Sequence, residues 1–186
     1  MKTFKTILLA GAMALPLAAT AYAADNSAPV QSDVVDSSGL YVRGDFGASY
    51  LDWATHNHDT TWTAGGGIGY QFNDFLRSDV TADWSGGYNI GSGATLYTTA
   101  VLGNVYLDWK NSTAFTPYIG GGVGYGWAQG PGFTNDSGLA FGLTAGVSVD
   151  MTSNLALDVG YHYRDIMISG VDPSEHQVTA GLRFKF

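Results

Sequence analysis

The closing stretch Glu175 to Phe186, reading EHQVTAGLRFKF, puts Val178, Ala180, Leu182, Phe184 and Phe186 on one face of an extended chain. Thr179, Gly181, Arg183 and Lys185 fall on the other. Strand side chains alternate between the two sheet faces, so this pattern makes one apolar face and one polar face. As an exposed edge in water, such a strand is an aggregation hazard. In a membrane its apolar face meets lipid, and closure into a barrel satisfies every backbone group. The rest of the chain is what this strand closes against.

The front end has a different grammar. Lys2 and Lys5 precede an apolar run from Ile7 to Leu17, and Ala21-Tyr22-Ala23 is a small-x-small cleavage site. Residues 1–23 therefore read as a cleaved secretory signal peptide. The apolar run falls short of the roughly 20 residues a transmembrane helix needs. Residues 24–39, rich in Ala, Ser, Asp and Val, have no sustained period and read as a flexible periplasmic lead-in. The barrel is expected over residues 40–186.

Composition narrows the function. Of 8 basic residues, removing Lys2 and Lys5 leaves 6 against 16 acidic ones, a net charge near −10. That excludes a nucleic-acid partner, which needs a basic footprint. The exported chain has no cysteine, so neither disulfides nor thiolate metal sites are expected. No later stretch offers 18 consecutive apolar residues, so no spanning helix is expected.

Eight alternating segments follow: 40–51, 61–72, 75–85, 96–109, 116–127, 138–151, 155–164 and 175–186. An even count suits a bacterial barrel. The fold class is all-β, an eight-stranded antiparallel up-and-down transmembrane β-barrel. Connections after even segments are short: Asn73-Asp74, Lys110 to Phe115 and Thr152 to Asn154. Those after odd segments are longer: Asp52 to Thr60, Gly86 to Thr95, Ala128 to Ser137 and Asp165 to Ser174. Short turns face the periplasm and longer loops face outward in such barrels.

Aromatic placement gives a second line. Tyr50, Trp62, Trp84, Tyr97, Trp127 and Tyr163 fall outward near outer strand ends, and Trp109 and Phe184 near periplasmic ends. Two aromatic girdles match two lipid interfaces. A soluble lipocalin-like barrel also alternates, with apolar residues inside. Girdle placement and the terminal Phe186 favour the membrane arrangement.

The inward set holds Arg43, Arg77, Arg164, Arg183 and Lys185 against Asp45, Asp79, Asp83, Asp108 and Asp158. Eight strands leave an interior that side chains just fill. Buried charges must pair, so an ionic plug near the periplasmic end is expected, serving structural neutralisation rather than an ion path. Inner glycines of the second, fifth and sixth segments would make room for arginines or water.

Other chemistry is thin. His56 and His58 beside Asp52 and Asp59 are metal-ligand types, but a loop gives them no orienting partners, so no metal and no cofactor are expected. The barrel lipid A deacylases carry a His-x-Ser pair, whereas His162 is followed by Tyr163 and Arg164. No catalytic residue emerges. Trp53 and Phe133 in outer loops are candidate contact residues.

GLYVRGDFGASY (Gly39 to Tyr50), GGGIGYQFNDFLRSDV (Gly65 to Val80), TPYIGGGVGYGWA (Thr116 to Ala128), LALDVGYHYRD (Leu155 to Asp165) and the terminal GLRFKF together resemble the opacity-type surface antigens and the small outer-membrane barrels of alphaproteobacteria. The resemblance implies a non-catalytic protein of the Gram-negative outer membrane with roles in envelope integrity, antigenicity and adhesion. It implies as partners outer-membrane lipids and lipopolysaccharide, the barrel-assembly machinery through the C-terminal strand ending in Phe186, and a host-surface ligand. The alternative is a narrow porin or small-solute channel.

Overall fold

The computed structural model describes residues 38–53, 57–89, 94–130, 133–168 and 174–186. The expected signal peptide, and the lead-in up to residue 37, lie outside them. The strands are β1 (Gly39–Trp53), β2 (Asn57–Gln71), β3 (Leu76–Asn89), β4 (Thr95–Asp108), β5 (Phe115–Gly130), β6 (Phe133–Asp150), β7 (Leu155–Met167) and β8 (Ser174–Lys185). Each pairs antiparallel with the next, and β1 pairs with β8 from Tyr41↔Lys185 to Asp52↔Ser174. The barrel is closed, and Leu182 to Phe184 have neighbours on both sides.

The strands outrun the alternating segments at their outer ends. β1 and β2 stay paired up to Trp53↔Asn57, and β5 and β6 up to Gly130↔Phe133. Much of these two outer connections is thus paired ribbon, because Asp52, His58 and Asp59 join the ladder as readily as apolar residues do.

A bulge explains why β3 continues past Ser85. Gly86 pairs with Tyr97 and Tyr88 with Leu96, leaving Gly87 unpaired at φ +87°. Glycine adopts that backbone without steric cost. The extra residue shifts the alternation, so Tyr88 turns into the lumen with Ser85.

The periplasmic turns share one device. The Asn73 side-chain oxygen accepts from the Phe75 and Leu76 N–H groups at 3.0 and 2.8 Å. Asn111 accepts from the Thr113 N–H at 2.8 Å, and Thr152 from the Asn154 and Leu155 N–H groups at 3.2 and 3.0 Å. Short side chains that satisfy the backbone locally make tight turns.

The two faces differ in kind. Leu40, Phe46, Ile68, Val80, Val123, Leu139, Leu143 and Val178 are exposed, while Arg77, Asp79, Asp108, Asp158, Arg164 and Arg183 are buried. This inversion of the water-soluble rule suits a hydrocarbon solvent. Val123 lies midway along β5 and is 68% exposed. Replacing it with Arg is expected to cost about 2–4 kcal/mol in a bilayer, the penalty for a charge near the midplane. Reversible unfolding in vesicles would show this, and a change near zero would mean that this face meets water.

Candidate functional site

The lumen is filled in three levels. Nearest the periplasmic mouth, Arg77 is fully buried and its Nε donates to both oxygens of Asp108 at 3.1 and 3.0 Å. Its guanidinium carbon sits 4.3 Å from the Tyr106 ring centre and 4.8 Å from that of Tyr118. Arg183 donates from Nε and Nη2 to Asp158 at 3.0 and 3.2 Å, and from Nη2 to Ser148 at 2.7 Å. Arg43 pairs with Asp45 at 3.0 Å and approaches Asp79 at 3.6 Å. Asp79 also accepts from Tyr41, Asn104 and Tyr106. These bonds knit β1, β3, β4, β6, β7 and β8 through side chains alone. Lys185 stands at the rim of the mouth cavity.

The inner glycines do not make room for arginines. A side chain at Gly69 would meet the Tyr41 ring, one at Gly120 the Tyr106 ring, and one at Gly146 the Tyr118 ring. Each tyrosine lies beside a bare glycine position of the neighbouring strand, its own register partner. A planar ring needs a wall without side chains, whereas a guanidinium reaches its carboxylate along the lumen.

The second level contains Glu175, which is absent from the expected set of lumen charges. Its carboxylate accepts from Arg164, from Thr98, and from Gln177 at 2.8 Å. Ser85 accepts from Arg164 and Gln177, both at 3.2 Å, and donates to Thr63 at 2.9 Å. The signal was available: the closing strand's alternation, carried back from Thr179, puts Gln177 and Glu175 on the lumen face. His162 lies below this level, bonded at its two nitrogens to Thr144 at 3.0 Å and Thr179 at 2.9 Å.

The third level is apolar. Leu51, Tyr88, Leu96, Ala100, Leu102, Ala128, Ala140, Ile166 and Ile168 form one buried cluster toward the outer end. Tyr88 ties it to the polar level by donating to Ser49 at 2.6 Å. The expectation of a polar interior with a single plug missed this cluster. Several of its members sit beyond the expected strand ends, and Tyr88 depends on the Gly87 bulge.

On the outer surface, Trp62 and Trp84 have ring centres 4.5 Å apart, and Trp84 and Tyr97 5.8 Å apart. Tyr125 and Trp127 stand 5.3 Å apart, and Tyr163 lies against His176 at the same distance. Tyr50 stacks on His58 at 5.6 Å. Toward the periplasm, Phe184 meets Phe186 at 5.3 Å, and Trp109 is exposed. His56 and the side chains of Trp53 and Phe133 lie outside the described residues. Among the described residues, no group of three His, Asp or Glu side chains is arranged to hold a metal ion.

A closed eight-stranded barrel with apolar flanks, aromatic belts and a charge-filled lumen defines an integral outer-membrane protein. Comparison with known proteins places it more closely. The outer membrane protein beta-barrel domain family matches residues 7–186, and the chain belongs to that family. An uncharacterized protein of Brucella abortus is 28% identical across 76% of this chain and 74% of its own. An opacity protein of Neisseria gonorrhoeae is 28% identical over 50% of this chain and 54% of its own. Among solved structures, Neisserial surface protein A superposes with a TM-score of 0.66 at 26% identity, over 80% of this chain and 97% of that one.

Proposed function

We propose that this protein is a non-catalytic, non-conducting barrel that supports outer-membrane integrity and presents its outer loops at the cell surface. The observation that carries the reading is the double closure of the lumen. The ionic level and the apolar level stand in series, and a conducting path would have to break both. A narrow channel needs polar continuity from mouth to mouth, and the buried Leu51–Tyr88–Leu96–Ile166 cluster argues against it. His162 is held by threonines at both nitrogens and faces no serine nucleophile among the described residues, which favours a non-catalytic role. On this reading the arginine–aspartate network neutralises charge and carries no ions.

The partners follow from the surfaces. Lipids and lipopolysaccharide meet the apolar flank and its belts, and the assembly machinery takes the strand ending in Phe186. The outer connections 52–60, 86–95, 128–137 and 165–174 contain Asp52, Asp59, Asp136, Asp165 and Asp172 and no Lys or Arg. A host-surface ligand suited to this end is cationic rather than sulfated. Residues 1–23 act as the export signal.

Planar-bilayer recording tests the reading together with a deletion strain. The expected results are no discrete conductance steps from the purified barrel and raised sensitivity of the strain to detergent. Discrete steps of constant size from the unaltered protein would replace this proposal with the narrow-channel one.

A further inference from the structure

The periplasmic mouth holds a cavity of about 430 Å³, within the size range of small-molecule sites. Its walls are Ser148 and Asp150 at the end of β6, Asn154 in the following turn, and Arg183 and Lys185 on β8. The charges there are not equally committed. Asp108 is engaged by Arg77, and Asp74 lies 3.4 Å from Lys110. Arg183 is about nine-tenths buried, lines the cavity and uses Nε and Nη2 on Asp158 and Ser148. Its Nη1 has no hydrogen-bond partner among the described residues. Just behind it, Arg77 Nη1 and Nη2 also lack hydrogen-bond acceptors, with Nη1 3.9 Å from Asp158. A guanidinium edge left open on the wall of a polar cavity, with a second arginine buried behind it, calls for a planar, anionic acceptor.

We infer that the periplasmic mouth is a binding site for carboxylates, with Arg183 as its anchor and Lys185 as the cation at its rim. The ligand class is a carboxylate end small enough to enter from the periplasm, either the C-terminus of a short peptide or a small organic acid. The carboxylate accepts from Arg183 Nη1 at the floor, while Ser148, Asn154 and Thr116 offer hydrogen bonds along the walls. Asp150 at the end of β6, two strands away from β8, attracts an amine, so a zwitterionic ligand gains a second contact. This site is separate from the sealed upper lumen and does not depend on whether the barrel conducts.

The test uses the protein purified from outer membranes in detergent micelles. Three probes are titrated by calorimetry: acetyl-alanyl-alanine, its C-terminal amide, and acetate. The expected result is saturable binding of the acid, with the amide at least about 10-fold weaker, because a charge-assisted bond is lost. Lys185→Gln, which removes the charge at the rim, is expected to weaken the acid by about 3-fold or more and to leave the gel mobility of the unboiled barrel unchanged. Arg183→Lys keeps the charge but loses the fork, and is expected to weaken the acid further. Acid binding well above acetate identifies a peptide end, and equal binding identifies a small organic acid; either supports the site. Equal binding of acid and amide overturns the inference, as does the absence of saturable binding by all three probes or a Lys185→Gln protein that binds as before.

Discussion

Replacing Arg77 with Met is expected to destabilise the barrel by about 3–5 kcal/mol, the usual cost of removing one partner from a buried ion pair. Arg77 is fully buried, holds Asp108 with its Nε and lies between two tyrosine rings. Methionine fills much of the same space, so the loss comes from leaving Asp108 without its cation and Asp158 with a weaker field. Urea unfolding of the refolded barrel in vesicles, followed by gel mobility without boiling, would measure it. Adding Asp108→Asn to Arg77→Met is expected to recover part of the loss, since the stranded charge is then gone. A single variant within 1 kcal/mol of the parent, on the order of a surface change, would show that the mouth network carries little of the stability.

A second large effect is expected from one methyl group. At Gly120 a β-carbon would overlap Tyr106 Cδ1 and stand 2.8 Å from Cε1. That ring cannot yield easily, because it faces Arg77 and its hydroxyl lies between Arg43 and Asp79. Gly120→Ala is therefore expected to cost about 1–3 kcal/mol, the range for overpacking a filled interior. Gly103 provides the comparison. It faces the lipid, and its nearest atom to an added methyl is Val123 O at 3.9 Å. Gly103→Ala is expected to be neutral or to stabilise by about 0.5 kcal/mol, because alanine gives up less backbone freedom. In a Tyr106→Leu background the Gly120→Ala cost is expected to shrink sharply. If the two glycine changes cost the same in the parent, the ring-over-glycine packing is not what makes Gly120 necessary.

The fold was legible because a membrane barrel writes its inside and outside into every second residue. Val178, Leu182 and Phe184 declare one face, and Thr179 and Arg183 the other. Turn chemistry at Asn73, Asn111 and Thr152 set the short ends. What stayed hidden depends on events that alternation does not record. The shift at Gly87 reverses the facing of Tyr88, and nothing in the local pattern announces an unpaired residue inside an apparent loop. The partnership of Tyr106 with Gly120 depends on which rows of β4 and β5 lie side by side, which register decides and composition does not. The Arg164–Glu175 pair required following a polar face past the point where the apolar face ends.

The apolar layer has one more consequence. Among the described residues, all its side chains come from strands, apart from Ile168 just after β7. On the proposed reading, closure of the lumen is therefore separable from what the outer connections present. On the same reading, the strand-borne side chains of this layer stay in place when the outer connections change. If the proposed function holds, such a barrel can vary its outward face while its lumen stays closed.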